Sequence, residues 1–136
     1  MARVLALDYG GKRTGVAVTD ELQLIASGLT TVPTSELLGF LMEYLEKEDV
    51  ETIVIGEPKQ MDNTVSESEQ LILKFIDKFQ KRFPNINVVR VDERFTSKMA
   101  MQSLIDSGVK KMRRRKKELI DEVSATLILQ NYLYSK

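Results

Sequence analysis

Apolar positions recur along this chain in two rhythms, and their order predicts the architecture. Val4-Leu5-Ala6-Leu7 is a short apolar run that stops at Asp8-Tyr9-Gly10-Gly11, so it reads as a buried strand entering a turn. Residues 14–19, small and β-branched, predict a second strand close enough to form a hairpin with the first. Residues 24–32 predict a weaker third strand, ended by Pro33, after which Thr34 or Ser35 offers a cap for a helix running to about Lys47.

The apolar run Thr52-Ile53-Val54-Ile55-Gly56 predicts a further strand, ended by Pro58 and followed by a polar loop from Lys59 to Thr64. Ser66-Glu67-Ser68-Glu69 then opens a helix, with Leu71, Phe75, Ile76 and Phe79 at roughly helical spacing. Pro84-Asn85 breaks it, and residues 87–92 form the next strand. Thr96 or Ser97 caps a short helix to about Ile105, and a last helix follows from about Leu119 to Tyr134. The order β-β-β-α-β-α-β-α-α, a meander followed by crossovers, predicts an α/β fold with a mixed five-stranded sheet flanked by helices. With no linker or repeat in 136 residues, a single domain over 1–136 is expected.

Composition narrows the chemistry. The chain has no cysteine and no histidine, which excludes disulfides, Cys/His zinc sites and any histidine base or nucleophile relay. An enzyme built from this chain works with Asp, Glu, Lys, Arg, Tyr, Ser or Thr, and carboxylates favour hard cations such as Mg²⁺ or Mn²⁺. The formal net charge is zero, yet Lys110, Lys111, Arg113, Arg114, Arg115, Lys116 and Lys117 crowd into one run, leaving 13 basic residues against 20 acidic ones elsewhere. A basic patch on an acidic body points to a local anionic partner. No stretch approaches the ~20 apolar residues of a membrane span, and the N-terminus lacks a signal-peptide pattern, so no membrane partner and a cytoplasmic location are expected.

Three acids stand at unusual positions. Asp8 follows the first apolar run, where alternation implies partial burial; in front of Gly10-Gly11 it is also an ordinary turn-former. Glu93 ends the run VVRVDE and shares a face with Val89 and Val91, although a surface acid paired with Arg94 would look the same. Asp121 lies near Ile128 and Tyr132 on an apolar side of the last helix, where it could equally complement the helix dipole. Brought together, such carboxylates would repel by about 4 kcal/mol per pair at ~4 Å and an effective dielectric constant of ~20, so a divalent cation is the expected relief. Two such ions activate water and stabilise a leaving oxyanion without a side-chain base.

The run LALDYGGKRTGVAVTD, the segment IVIGEPKQMDNT, the run VDERFTS and the segment IDEVSATLILQ fall in this order across the chain. Together they resemble the YqgF-type family, described as Holliday-junction-resolvase-like and as pre-16S rRNA nucleases, over residues 4 to about 132. The resemblance implies a ribonuclease H-like fold, with Asp8, Glu93 and Asp121 as catalytic, metal-binding acids and Lys12, Arg13 and Arg94 beside them. It implies a metal-dependent nuclease acting on structured RNA or DNA. Processing of the 5′ end of pre-16S rRNA is the favoured activity, and Holliday-junction resolution in recombination and repair the alternative. The chain departs from the family pattern at Glu57, where Leu is usual, and at Asn63, where Gly is usual. Asn tolerates a positive φ better than most residues, so the departures bear on substrate contacts in that loop rather than on the acids.

The basic run, just ahead of Asp121, would deliver phosphates to the acids, though a solvated face has the same composition; it carries no interleaved aromatics for base stacking. Gly10 and Gly15 have the glycine spacing of a phosphate loop, but Val16-Ala17 replaces its Lys-Ser/Thr pair, so a tight hairpin is expected instead. Two rivals remain at this point. An ATP-binding phosphotransferase with a similar first phosphate loop would need a second domain, and a non-catalytic nucleic-acid-binding module would use the basic run without the acids.

Overall fold

The computed structural model describes residues 2–57, 67–92 and 117–134. Within them the strands are β1 (Arg3–Tyr9), β2 (Arg13–Thr19), β3 (Ala26–Pro33), β4 (Val50–Glu57) and β5 (Asn87–Asp92). The helices are α1 (Leu37–Lys47), α2 (Glu67–Arg82) and α3 (Lys117–Tyr134), with a short 3-10 turn, Thr34–Glu36, ahead of α1. The strands form one mixed sheet in the order β3-β2-β1-β4-β5. β1 pairs antiparallel with β2 and parallel with β4, so the central strand is the seam between the meander and the crossover half. The expected fold class is observed.

The two crossovers, β1 to β4 and β4 to β5, step in the same direction across the sheet, and right-handed connections then put α1 and α2 on one face. Leu5, Leu7, Val16, Ile53 and Ile55 point to that face and pack with Leu37 and Leu41 of α1 and Ile72, Phe75 and Phe79 of α2. The opposite face carries Val4, Ala6, Ala17 and Val54, packed against Ala125, Ile128 and Leu129 of α3. The period of two divides each strand between these cores. One face is built of large side chains and the other of smaller ones, which lets α3 approach the sheet closely.

Three local expectations are corrected. Leu71 was expected on the apolar face of α2, but it is 47% exposed while Ile72 is fully buried. Ile72, Phe75, Ile76 and Phe79 define the stripe, and at 100° per residue Leu71 falls on its shoulder. β3 begins at Ala26 rather than Leu24, because the Asp20 carboxylate accepts hydrogen bonds from the backbone N–H groups of Leu24 and Ile25 and folds 20–25 into a turn. Those bonds, chiefly the one from Ile25, hold the Asp20 carboxyl below its ordinary value. Thr34 does not cap α1, whose N-cap position is Glu36 with no side-chain cap. Its hydroxyl instead donates to the Gly10 carbonyl at 2.6 Å and meets the Thr14 hydroxyl at 2.9 Å, tying the start of α1 to the β1–β2 hairpin. The short helix expected over 96–105 lies outside the described residues.

Candidate active site

The parallel strands β1, β4 and β5 end at the same edge of the sheet, and in open α/β sheets the carboxyl ends of such strands are where ligands bind. Asp8 is the penultimate residue of β1, partly buried, and by alternation it shares the face of Val4 and Ala6 beneath α3. Its cross-strand partner is Gly15 of β2.

Gly15 has a second neighbour. A methyl group at its Cα would lie 2.0 Å from the backbone oxygen of Asp121 and 3.0 Å from the amide nitrogen of Glu122. Only a residue without Cβ lets the helix backbone come this close to the strand. Asp8 and Asp121, distant in sequence, therefore flank the same glycine. Asp121 stands early in α3, where the helix dipole favours a carboxylate.

Arg13, the first residue of β2, also faces α3, and its Nε donates to Oδ2 of Asp121 at 3.1 Å. The ion pair is partly open to solvent, with side-chain exposures of 30% for Arg13 and 24% for Asp121. Lys12 beside it is exposed in the hairpin loop. That loop is tight at Gly10, where a Cβ would lie 2.5 Å from the Arg13 carbonyl oxygen, and open at Gly11. The expected hairpin is thus present. The close backbone approach is at Gly15, and its partner is a helix.

One turn along α3 from Asp121, the Ser124 hydroxyl is fully buried and has no hydrogen-bond partner among the described residues. Thr126 differs, bonding back to the Glu122 carbonyl at 2.9 Å. Glu122 points elsewhere: its carboxylate lies over Gly28 of β3, where a Cβ would meet Oε1 at 2.5 Å.

Glu57 and Asp92 also end strands at this edge and pair in register. Alternation puts them with Ile55 and Arg90, on the α2 face and away from Asp8. Between these strand ends Arg90 forms a locked node. Its Nη1 and Nη2 donate to both carboxylate oxygens of Glu69, at 3.0 and 2.6 Å, while Nε and Nη2 donate to the carbonyls of Ile55 and Gly56.

Asp8 and Asp121 thus flank a common glycine, while Glu93, Arg94, Lys110, Lys111, Arg113, Arg114, Arg115 and Lys116 lie outside the described residues, as does the Lys117 side chain. Oxygen donors of this kind fit a hard cation, and the Ser124 hydroxyl, one helical turn from Asp121, is a buried polar atom without a partner among the described residues. Among the described residues no three Asp, Glu, Cys or His side chains converge as a metal site. Burial raises the Tyr9 hydroxyl above its ordinary value, so it stays protonated near neutral pH and is no candidate base.

Sequence reasoning missed Gly15 as the contact that seats α3, and it missed Ser124 and the Arg90–Glu69 node. A glycine inside a β-branched strand was a usable signal for the first, since it commonly marks close backbone approach. Nothing in the local pattern marked the other two.

A mixed sheet in this order, with a carboxylate at the carboxyl edge of its central strand and a closing helix carrying another, defines the ribonuclease H-like class of α/β domain. Within it the chain belongs to the RuvX family, whose model, described as Holliday junction resolvase, matches residues 2–135. A protein of Christiangramia forsetii named "Putative pre-16S rRNA nuclease" is 63% identical over 134 residues, covering 98% of this chain and 99% of that one. One of the same name from Flavobacterium johnsoniae is 59% identical over 136 residues, covering 100% and 99%. Among solved structures, the fowlpox virus resolvase in complex with Holliday junction DNA aligns with a TM-score of 0.58 at 13% identity, over 98% of this chain and 97% of that one. A second structure, of the fowlpox virus Holliday junction resolvase, gives 0.54 at 14% identity, over 98% and 99%. At that identity the likeness concerns the fold.

Proposed function

We propose that this chain is a metal-dependent nuclease that hydrolyses phosphodiester bonds in structured RNA, with the 5′ end of pre-16S rRNA as its substrate. The observation that carries the reading is the seating of α3 on Gly15, which brings Asp121 to the strand position paired with Asp8. In a chain without histidine or cysteine, partly buried carboxylates at the carboxyl ends of parallel strands suit hydrolysis that relies on a metal rather than on a side-chain base. The names of its relatives support the RNA substrate.

In this reading Asp8 and Asp121 hold Mg²⁺ or Mn²⁺ together with Glu93, which follows Val89 and Val91 at strand spacing. When bound, the metal supplies an activated water and charge stabilisation for the leaving oxygen. Asp8 is fixed by the central strand and Asp121 by the helix, so neither depends on a loop for its position. Arg13 neutralises Asp121 and orients its carboxylate through Nε. Lys12, Arg13, Arg94 and the basic residues Lys110, Lys111, Arg113, Arg114, Arg115, Lys116 and Lys117 contact phosphates, which positions substrate without reading sequence.

The resolvase name of the family model supports a second reading, cleavage of four-way DNA junctions. A cleavage panel separates the two: precursor 16S rRNA 5′ ends, four-way DNA junctions and single strands, each with Mg²⁺, Mn²⁺ or EDTA. Cleavage of the rRNA precursor that EDTA abolishes is expected. Junction cleavage without rRNA cleavage would favour the second reading, and robust cleavage in EDTA would rule out the metal.

A further inference from the structure

We propose that Arg13 is a placeholder cation in the acid site: it neutralises Asp121 in the free protein and transfers to a backbone phosphate when nucleic acid binds, coupling substrate binding to metal binding. The proposal rests on the metal-dependent reading above and adds how the two ligands communicate.

The contrast between two arginines carries it. Arg90 uses all three guanidinium nitrogens on Glu69 and on the carbonyls of Ile55 and Gly56, so it is committed to the fold. Arg13 uses Nε alone, on Asp121, and its terminal nitrogens make no hydrogen bond within the described residues. The unused nitrogens form the fork that matches phosphate in two-point fashion. The side chain is 30% exposed, stands at the mouth of the hairpin loop beside exposed Lys12, and holds its partner through one bond only. Such a guanidinium is poised between two anions, the carboxylate it touches and a phosphate it could accept.

A divalent ion on Asp121 and a guanidinium 3.1 Å from the same carboxylate repel one another, so the two compete. A phosphate offers Arg13 another partner and thereby relieves the competition. Nucleic acid should then tighten metal binding, and by linkage the metal should tighten nucleic-acid binding by the same factor. The arrangement keeps Asp121 neutralised until substrate is present.

The test is calorimetric titration of Mn²⁺ into wild type, Arg13→Gln, Arg13→Lys and Asp121→Asn, with and without a short duplex of phosphorothioate RNA that resists hydrolysis. In protein alone, Arg13→Gln should bind Mn²⁺ more tightly than wild type, by up to about fivefold, the equivalent of an exposed ion pair. The tightening that RNA induces in wild type should shrink in that variant. Arg13→Lys keeps the charge and lacks the fork, so it should bind the RNA more weakly while its Mn²⁺ affinity in the absence of RNA stays near wild type. Equal or weaker Mn²⁺ binding by Arg13→Gln, with Asp121→Asn abolishing binding, would overturn the placeholder role and leave the nuclease reading standing. Wild-type RNA affinity in Arg13→Lys would overturn the transfer to phosphate. Absence of Mn²⁺ binding by wild type would overturn this inference and the metal-dependent reading together.

Discussion

Gly15 and Gly28 both lie in strands beneath α3, yet a methyl group meets different resistance at each. At Gly15 it would collide with helix backbone at 2.0 Å, which cannot yield unless the start of α3 moves. At Gly28 it would meet the flexible Glu122 side chain, 2.5 Å from Oε1 and 2.8 Å from Cγ, which can move without shifting backbone. Gly15→Ala is therefore expected to destabilise the protein by about 1–3 kcal/mol, the usual range for overpacking, and to reduce cleavage further by displacing Asp121. Gly28→Ala should be nearly silent in both respects. Denaturant unfolding and single-turnover cleavage of the two variants check this, and equal effects would remove Gly15 from its role in seating the helix. At this scale Asp8 and Asp121 stood out in the sequence because a carboxylate directly after an apolar strand, or on an apolar helix side, conflicts with its surroundings; Glu93 lies outside the described residues. What brings them together was not legible, since the partner of Gly15 lies far along the chain and no local pattern names it.

The two faces of the sheet do different work, and the elements reflect it. α1 and α2 cover the larger core, where Phe75 meets Tyr9 at a tilt and stacks on Phe79, with ring centroids 5.4 and 6.0 Å away. α3 closes the other face and carries Asp121. The carboxyl ends of β4 and β5 are pinned to α2 by Arg90 and Glu69, whose side chains are only 20% and 12% exposed. Glu69→Ala removes the counter-ion of that guanidinium and two of its four hydrogen bonds, and should cost about 1–3 kcal/mol, the range for leaving a buried polar group partly unsatisfied. Because the node lies on the α2 face, the loss should appear in stability, by chemical denaturation, with single-turnover cleavage of the folded fraction preserved. A wild-type unfolding midpoint would show that the node is dispensable. The strands and the crossover order were legible from period-two runs separated by breakers. The boundaries shifted where side chains rewrote the turn: Asp20 delayed β3, and Thr34 was drawn to the hairpin.

At the scale of the whole molecule, charge is segregated. The cationic run at 110–117 ends on the first residue of the helix that carries Asp121, and the rest of the chain has an acidic excess. Among the described residues no helix is long and apolar enough to cross a membrane. Replacing Arg113, Arg114 and Arg115 with Ala should weaken binding alike across sequences and, on duplex, lower the slope of log K against log salt by about 0.9 per lost phosphate contact. Affinity measured at several salt concentrations checks this; an unchanged slope would make the run a solvated surface. The central claim is that carboxylates seated by β1 and α3 perform metal-dependent hydrolysis. It is tested most directly by single-turnover cleavage of precursor 16S rRNA in Mg²⁺ by wild type and Asp8→Asn, prepared identically and matched for folding by circular dichroism. The substitution keeps the shape of the side chain and removes its charge, so the account predicts a rate loss greater than about 100-fold, beyond the usual effect of residues that merely support a metal ligand. Cleavage by Asp8→Asn at the wild-type rate would contradict it.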